Sequence, residues 1–159
     1  MAVSDQREIL KTTLNDDHFG MHLTLEGYGA SPDKIADQHY ILSWLRKFPY
    51  EIGMHKIAEP MVREVGAKNR KDPGGISGFV LIAESHISIH TFPLRGFLTA
   101  DVYTCQNDLD AFAIETKFRH AFELEEIETQ IIKRGLRYPK YNIHAVDSDT
   151  SRTHRAATP

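Results

Sequence analysis

The segment 84–91, with the sequence ESHISIHT, concentrates groups that can do chemistry in one short stretch. It holds a carboxylate, hydroxyl groups and two imidazoles, and it follows directly on the apolar run 79–83. Ionisable groups are costly in a strand that enters a core unless they are paired or used. Hydroxyl and imidazole side chains are the usual nucleophiles and proton carriers near neutral pH. The segment therefore predicts a reaction centre carried on a β-strand.

The four-residue link 93–96 permits a hairpin between the strand that ends at Phe92 and the strand that begins at Phe97. In that register Ser88 lies opposite Asp101, and Cys105 arrives beside the Glu84–Ser85 peptide. A register slipped by one residue would exchange the two faces of the strand. Taken singly, each of these side chains has an ordinary structural explanation. Taken together on one hairpin, they favour a site.

Several other classes of protein fit the sequence poorly. His86 and His90 would lie about 13 Å apart on a strand, which is too far for one metal ion, so we predict no metal site. No G-x-S-x-G elbow of a serine hydrolase is present. A net charge of −3 gives no case for nucleic acid, and no apolar run is long enough for a membrane span. The single cysteine and the absence of a signal-peptide pattern at the start predict a cytoplasmic location.

The hydrophobic pattern and the caps predict elements in the order strand, helix, several strands, helix, strand. The predicted strands are 21–26, a weaker 56–65 with Pro60 at an edge, 76–83, 86–92, 97–105 and 127–131; the predicted helices run from the Ser31 cap to Phe48, stopped by Pro49, and from an Asn107–Asp108 cap through Ile114, Phe118 and Phe122. This order predicts the α+β class, as a two-layer sandwich with an antiparallel sheet and two helices packed on one face. The other face needs a second protomer if it is apolar, so we predict a homodimer.

The chain closely resembles the small prokaryotic form of S-adenosylmethionine decarboxylase over roughly residues 20–135. The matching motifs are GMHL at 20–23, GGISG at 74–78, ESHISIHT at 84–91 and DVYTC at 101–105. The resemblance implies a proenzyme that cuts itself between Glu84 and Ser85. The flanking predictions are an N-terminal arm over 1–18 and a polar tail over 139–159, with the decarboxylase-like domain over 19–138.

The resemblance also implies a role for each matching side chain. Ser85 becomes a pyruvoyl cofactor that forms a Schiff base with the substrate amine and takes up electrons when carbon dioxide leaves, in place of pyridoxal phosphate. His90 is the processing base. Ser77 assists processing through a hydrogen bond to the reacting carbonyl. Cys105 is the proton donor of the decarboxylation. The implied assembly is a homodimer of cleaved protomers.

The part of the sequence that would bind substrate departs from the family pattern. Phe92 keeps a ring that can stack on adenine, but Leu94 stands where the family has a carboxylate for the ribose hydroxyls. The basic stretch 68–73 replaces a second aromatic. One interpretation is decarboxylation of S-adenosylmethionine for polyamine (spermidine) synthesis. The other is the same chemistry on free arginine or ornithine, with Glu26 or Asp101 meeting the basic side chain.

A third hypothesis is an unprocessed partner that regulates an active homologue. Loss of Ser85, His90 or Cys105 would indicate such a partner, and all three are present. The sequence therefore favours an enzyme that acts on a small amino-acid-type substrate.

Overall fold

A computed structural model describes residues 18–139 of the chain. The predicted arm and tail therefore lie almost wholly outside the described residues, and these two predictions stay untested. The elements, in chain order, are β1 (Gly20–Tyr28), α1 (Pro32–Ile35), α2 (Gln38–Glu51), β2 (Met61–Val65), β3 (Gly75–Ile82), β4 (Ser85–Phe92), a 3-10 turn (Pro93–Arg95), β5 (Phe97–Thr104), α3 (Ala111–Phe122) and β6 (Glu126–Arg134).

The strands form one antiparallel sheet in the order β2-β3-β4-β5-β1-β6. The helix α2 packs against β2 and β3, and α3 packs against β1 and β6. Alternate strand residues and one side of each helix form a single buried core, in which Leu23, Ile87 and Phe118 are fully buried. The predicted α+β sandwich is confirmed. None of the helices described in residues 18–139 has the length and apolar character to cross a membrane.

The hairpin between β4 and β5 has the predicted register. Ser88 lies opposite Asp101, and His90 lies opposite Thr99. The four-residue link and the burial of Ile87 on the helix side explain why the register does not slip, because a slip would expose the apolar residues of both strands.

The segment that opens the motif is a turn rather than a continuation of a buried strand. Ile82 pairs with Ser85, so Ala83 and Glu84 are the two residues of a tight turn between β3 and β4. His86, Ser88 and His90 of β4 project from the sheet face opposite the helices, because Ile87 and Ile89 take the buried face. We call this uncovered side of the sheet the open face.

The first predicted helix is divided in two, and Pro49 does not stop it. Asp37 interrupts the helix and begins α2 by accepting hydrogen bonds from the backbone N–H groups of His39 and Tyr40 at 2.8 and 3.0 Å. Pro49 is buried in the last turn of α2, where its packing offsets the hydrogen bond that its ring removes. The helix ends beyond it, next to Gly53, whose φ of +74° favours glycine.

Two other predicted boundaries shift for local reasons. The cap of α3 is Asp110, which accepts from the Ala113 N–H at 3.0 Å, while the side chain of Asn107 donates to the His18 carbonyl instead. The weak strand 56–65 is reduced to β2, which begins just after Pro60 and lies at an edge of the sheet, as predicted.

Candidate active site

The Glu84–Ser85 peptide lies where the turn enters β4, and its geometry is unusual. Ser85 has a φ of 148°, in a region that residues other than glycine rarely adopt. The Glu84 carbonyl accepts a hydrogen bond from the Cys105 backbone N–H at 2.9 Å. This contact confirms that the hairpin brings Cys105 to the Glu84–Ser85 peptide. A strained peptide whose carbonyl is already polarised is a suitable target for attack by the neighbouring hydroxyl.

The Glu84 carboxylate is held by His55, a residue of the loop after α2 that the sequence did not single out. Glu84 Oε1 lies 2.9 Å from Nδ1 of His55, and Oε2 accepts from the His55 backbone N–H at 3.0 Å. Burial by itself raises the pKa of Glu84, but the hydrogen bonds from the His55 ring and backbone outweigh it and lower the pKa overall. No local pattern marks His55, because its partner is distant along the chain.

The Cys105 thiol follows β5 directly and is exposed. The first strand approaches it closely at Gly20, where an added Cβ would lie 2.3 Å from the Thr104 carbonyl oxygen and 2.9 Å from the Cys105 Cα. Only glycine fits at this point without a shift of one strand. The predicted proton donor is therefore placed by close backbone packing of β1 against the end of β5.

His90 and Ser77 form a second group on the open face. The Ser77 hydroxyl lies 2.9 Å from Nδ1 of His90, and the two residues are paired across β3 and β4. The same row continues through Thr99 on β5 to Glu26 on β1. His90 follows Ser85 by five positions on the same strand, which is a distance of about 16 Å. One chain therefore brings Ser77, Glu26 and His90 together but leaves them far from its own Ser85.

A polar network lies on the open face at the level of Ser88. Asp101 accepts from the Ser88 hydroxyl at 3.0 Å, and its other oxygen is 2.7 Å from Nε2 of His22. His22 could have been predicted from the alternation of β1, because it lies on the same side of the strand as the polar Thr24 and Glu26. These two contacts account for Asp101 without a substrate and give this carboxylate a structural role.

His86 lies between two rings on the open face. Its ring centroid is 5.3 Å from that of Phe79 and 5.5 Å from that of Tyr103. Partial burial lowers the pKa of His86, nearby His22 and Arg134 lower it further, and Asp101 offsets part of the change. The lowered pKa favours the neutral imidazole, which packs as an aromatic ring.

The predicted substrate-binding residues Phe92 and Leu94 lie at the opposite end of β4 from Ser85. Phe92 stacks on Phe97 with centroids 5.7 Å apart, and these rings border an open cavity of about 410 Å³. The rest of the cavity wall is polar and comes from the basic loop and the 3-10 turn: Asn69, Lys71, Asp72 and Arg95. Leu94 is 83% exposed, and its hydrocarbon side chain offers no polar group for a substrate.

A pyruvoyl group built from Ser85 fits the residues around it. Ser85 follows a carbonyl that is held by the backbone N–H of Cys105, the only cysteine of the chain, and the peptide is strained at Ser85. Within residues 18–139, no group of three or more His, Cys, Asp or Glu side chains is arranged to hold a metal ion.

Comparison with known proteins decides the family. The sequence profile described as S-adenosylmethionine decarboxylase matches residues 21–135. The chain belongs to the S-adenosylmethionine decarboxylase family. The match begins in β1 and ends just after β6. It therefore covers the strands of the sheet, the Ser77–His90 pair, the network around Asp101 and the turn at Ser85. The resemblance inferred from the motifs is confirmed.

Members of this family with substantial identity include bacterial and archaeal proteins. S-adenosylmethionine decarboxylase proenzyme 2 of Halalkalibacterium halodurans is 35% identical over 120 residues, which are 76% of this chain and 89% of the relative. A proenzyme of Pyrobaculum islandicum is 37% identical over 91 residues, 57% of this chain and 68% of the relative. The crystal structure of the adenosylmethionine decarboxylase from Aquifex aeolicus aligns with a TM-score of 0.63 and 30% identity, covering 79% of this chain and 98% of that one. Family membership identifies the chain as a decarboxylase.

Proposed function

We propose that this chain is a self-processing, pyruvoyl-dependent decarboxylase that acts on S-adenosylmethionine and so supplies polyamine (spermidine) synthesis. The observation that carries the proposal is the Glu84–Ser85 peptide, strained at Ser85 and held at its carbonyl by the Cys105 N–H. The assignment of S-adenosylmethionine as the substrate rests on the family and on the names of its members. A cytoplasmic location, expected from the sequence, stays a prediction.

Self-cleavage requires only groups of the chain and water. The Ser85 hydroxyl attacks the Glu84 carbonyl carbon, and the Cys105 N–H stabilises the oxygen that gains charge. The C–N bond then breaks, the hydroxyl proton passes to the Ser85 nitrogen, and an ester joins the two parts of the chain. Removal of the Ser85 α-proton expels the Glu84 carboxylate from Cβ and leaves a dehydroalanine. Its imine tautomer reacts with water, releases ammonia and leaves a ketone.

Ser85 is the residue that would provide the pyruvoyl ketone, and that group would supply an electron sink for the loss of carbon dioxide. In this proposal, Cys105 returns a proton to the substrate carbon. A protonated thiol can act as this acid. Its exposed position beside the Glu84–Ser85 peptide supports the assignment.

A homodimer of cleaved protomers belongs to the same proposal. Proton transfer needs a base within about 3 Å of the α-proton, whereas one chain holds its own His90 about 16 Å from Ser85 along β4. The open face also carries the exposed apolar side chains of Met61, Phe79 and Leu81. Two open faces packed against each other bury this surface and bring His90 and Ser77 of a second copy toward Ser85.

A free basic amino acid, arginine or ornithine, is the less favoured substrate, because the family and the names of its members point to S-adenosylmethionine. The exposed Leu94 provides no carboxylate for ribose hydroxyls, and Glu26 lies in the same cross-sheet row as His90, where it can meet a cationic side chain. The chemistry at Ser85 is unchanged in this alternative.

Two measurements test the proposal. Intact-mass spectrometry of fresh protein is expected to show fragments 1–84 and 85–159, with the second carrying a ketone that borohydride or hydrazine modifies, while Ser85→Ala stays whole. Carbon dioxide release from S-adenosylmethionine, arginine and ornithine, measured side by side, then identifies the substrate. Full activity from an unbroken chain without a reactive carbonyl would refute the mechanism.

A further inference from the structure

The loop residue His55 contacts the turn before Ser85 in three places. Its ring and its backbone N–H hold the two oxygens of the Glu84 carboxylate at 2.9 and 3.0 Å. Its carbonyl accepts a hydrogen bond from the N–H of Ala83 at 2.8 Å. Both residues of the tight turn are therefore tied to the same loop residue.

The loop that carries His55 is itself attached to the sheet. Lys56 forms an antiparallel bridge with Ile82, and the Ile57 N–H donates to the Leu81 carbonyl at 3.1 Å. The buried Met54 anchors the chain just before His55. The contact with Glu84 thus comes from backbone that is paired with the end of β3, and it can resist movement of the turn.

We propose that His55 is a positioning residue for self-cleavage, which fixes Glu84 so that its carbonyl carbon stays within reach of the Ser85 hydroxyl. This inference rests on the proposed function. Glu84 is held on one side by His55 through its carboxylate and on the other by the Cys105 N–H through its carbonyl. A φ of 148° at Ser85 persists only where the surroundings over-determine it, and these two contacts supply that constraint.

The simpler explanation is that the His55–Glu84 pair only stabilises the hairpin. The His55 side chain is 73% exposed, and ion pairs with one exposed partner contribute little to folding. If His55 acts on the turn, its removal changes the rate of cleavage far more than the stability of the fold. The two explanations therefore predict different measurements.

The experiment follows the conversion of the whole chain into its two fragments during cell-free synthesis, by intact-mass spectrometry at timed intervals. His55→Leu removes the ring donor, and His55→Asn returns an amide N–H close to the position of Nδ1. His39→Leu is the matched control, since His39 is an exposed histidine on the helical layer. We expect His55→Leu to cleave about tenfold more slowly, as loss of one charge-assisted hydrogen bond would cause, with His55→Asn and His39→Leu near the unaltered rate. Melting temperatures are compared in a Ser85→Ala background, where every chain is whole.

Cleavage of His55→Leu at the unaltered rate would overturn the inference and leave the proposed function standing. Equally slow cleavage of His55→Leu and His55→Asn, with a matching fall in melting temperature, would also overturn it, because that result indicates a structural role. An unaltered chain that never cleaves would overturn the proposed function, and this inference with it.

Discussion

Mixed chains test whether the cleavage centre is shared between two protomers. On the proposed function, a Ser85→Ala chain cannot be cut but keeps His90, whereas a His90→Ala chain keeps the Ser85 hydroxyl but lacks the proposed base. Because one chain places these residues about 16 Å apart along β4, the proposed base for a given Ser85 would come from a second copy. A His90→Ala chain is then expected to be cut only when it is paired with Ser85→Ala.

The size of the effect follows from random pairing in a two-fold dimer. Equal amounts of the two variants place half of the His90→Ala chains in mixed dimers, so about half of these chains are expected to be cut. Alone, the same variant is expected to cleave at least about a hundredfold more slowly than the unaltered chain, because a general base contributes that much. The assay is co-synthesis of the two variants with tags of different mass, read by intact-mass spectrometry.

The control replaces the helper chain with a variant that carries both Ser85→Ala and His90→Ala. This helper pairs in the same way but offers no imidazole, so His90→Ala is expected to stay whole beside it. The shared centre is refuted if His90→Ala stays whole beside Ser85→Ala in dimers shown to be mixed. It is equally refuted if His90→Ala cleaves alone at the unaltered rate.

Three further substitutions test separate parts of the structure. Cys105→Ala keeps the backbone N–H and is expected to cleave normally but to release carbon dioxide about a hundredfold more slowly; equal turnover would remove the thiol from the mechanism. Thr91→Val removes the hydroxyl of a 2% exposed residue, which joins a helix carbonyl to a strand N–H. Urea unfolding is expected to show that the free energy of unfolding falls by about 3 kcal/mol. The control Thr116→Val, at an exposed hydrogen bond within α3, is expected to lower it by less than about 0.5 kcal/mol. The pKa of His86 is lowered in the fold, so the unfolded chain binds protons more readily and stability falls as the pH drops through the usual histidine range. His86→Phe is expected to make that fall smaller, and an unchanged pH dependence of the melting temperature would contradict the assignment.

The register of the β4–β5 hairpin could be predicted because all its determinants are local. A short link limits the ways in which two strands can pair, and the alternation of apolar residues selects the pairing that buries Ile87 and Val102 together. The same reasoning placed Ser88 opposite Asp101, and the hydrogen bond between them agrees with it.

The ends of the helices could not be predicted in the same way. Asn107 is a good cap by residue type, but its side chain donates to the distant His18 carbonyl, and Asp110 begins α3 instead. Pro49 normally ends a helix, yet burial in the core keeps it inside the last turn of α2. Both differences arise because tertiary contacts outweigh local preferences of about 1–3 kcal/mol.

By itself the sequence determined the family, the order of the strands along the chain and the meeting of Cys105 with the Glu84–Ser85 peptide. Motif residues and one short hairpin are sufficient for these conclusions. Only the tertiary structure decided that His55 holds Glu84 and that the Asn107 side chain donates to the His18 carbonyl instead of beginning α3. The physical reason is that both are contacts between segments far apart along the chain, which local patterns do not reveal.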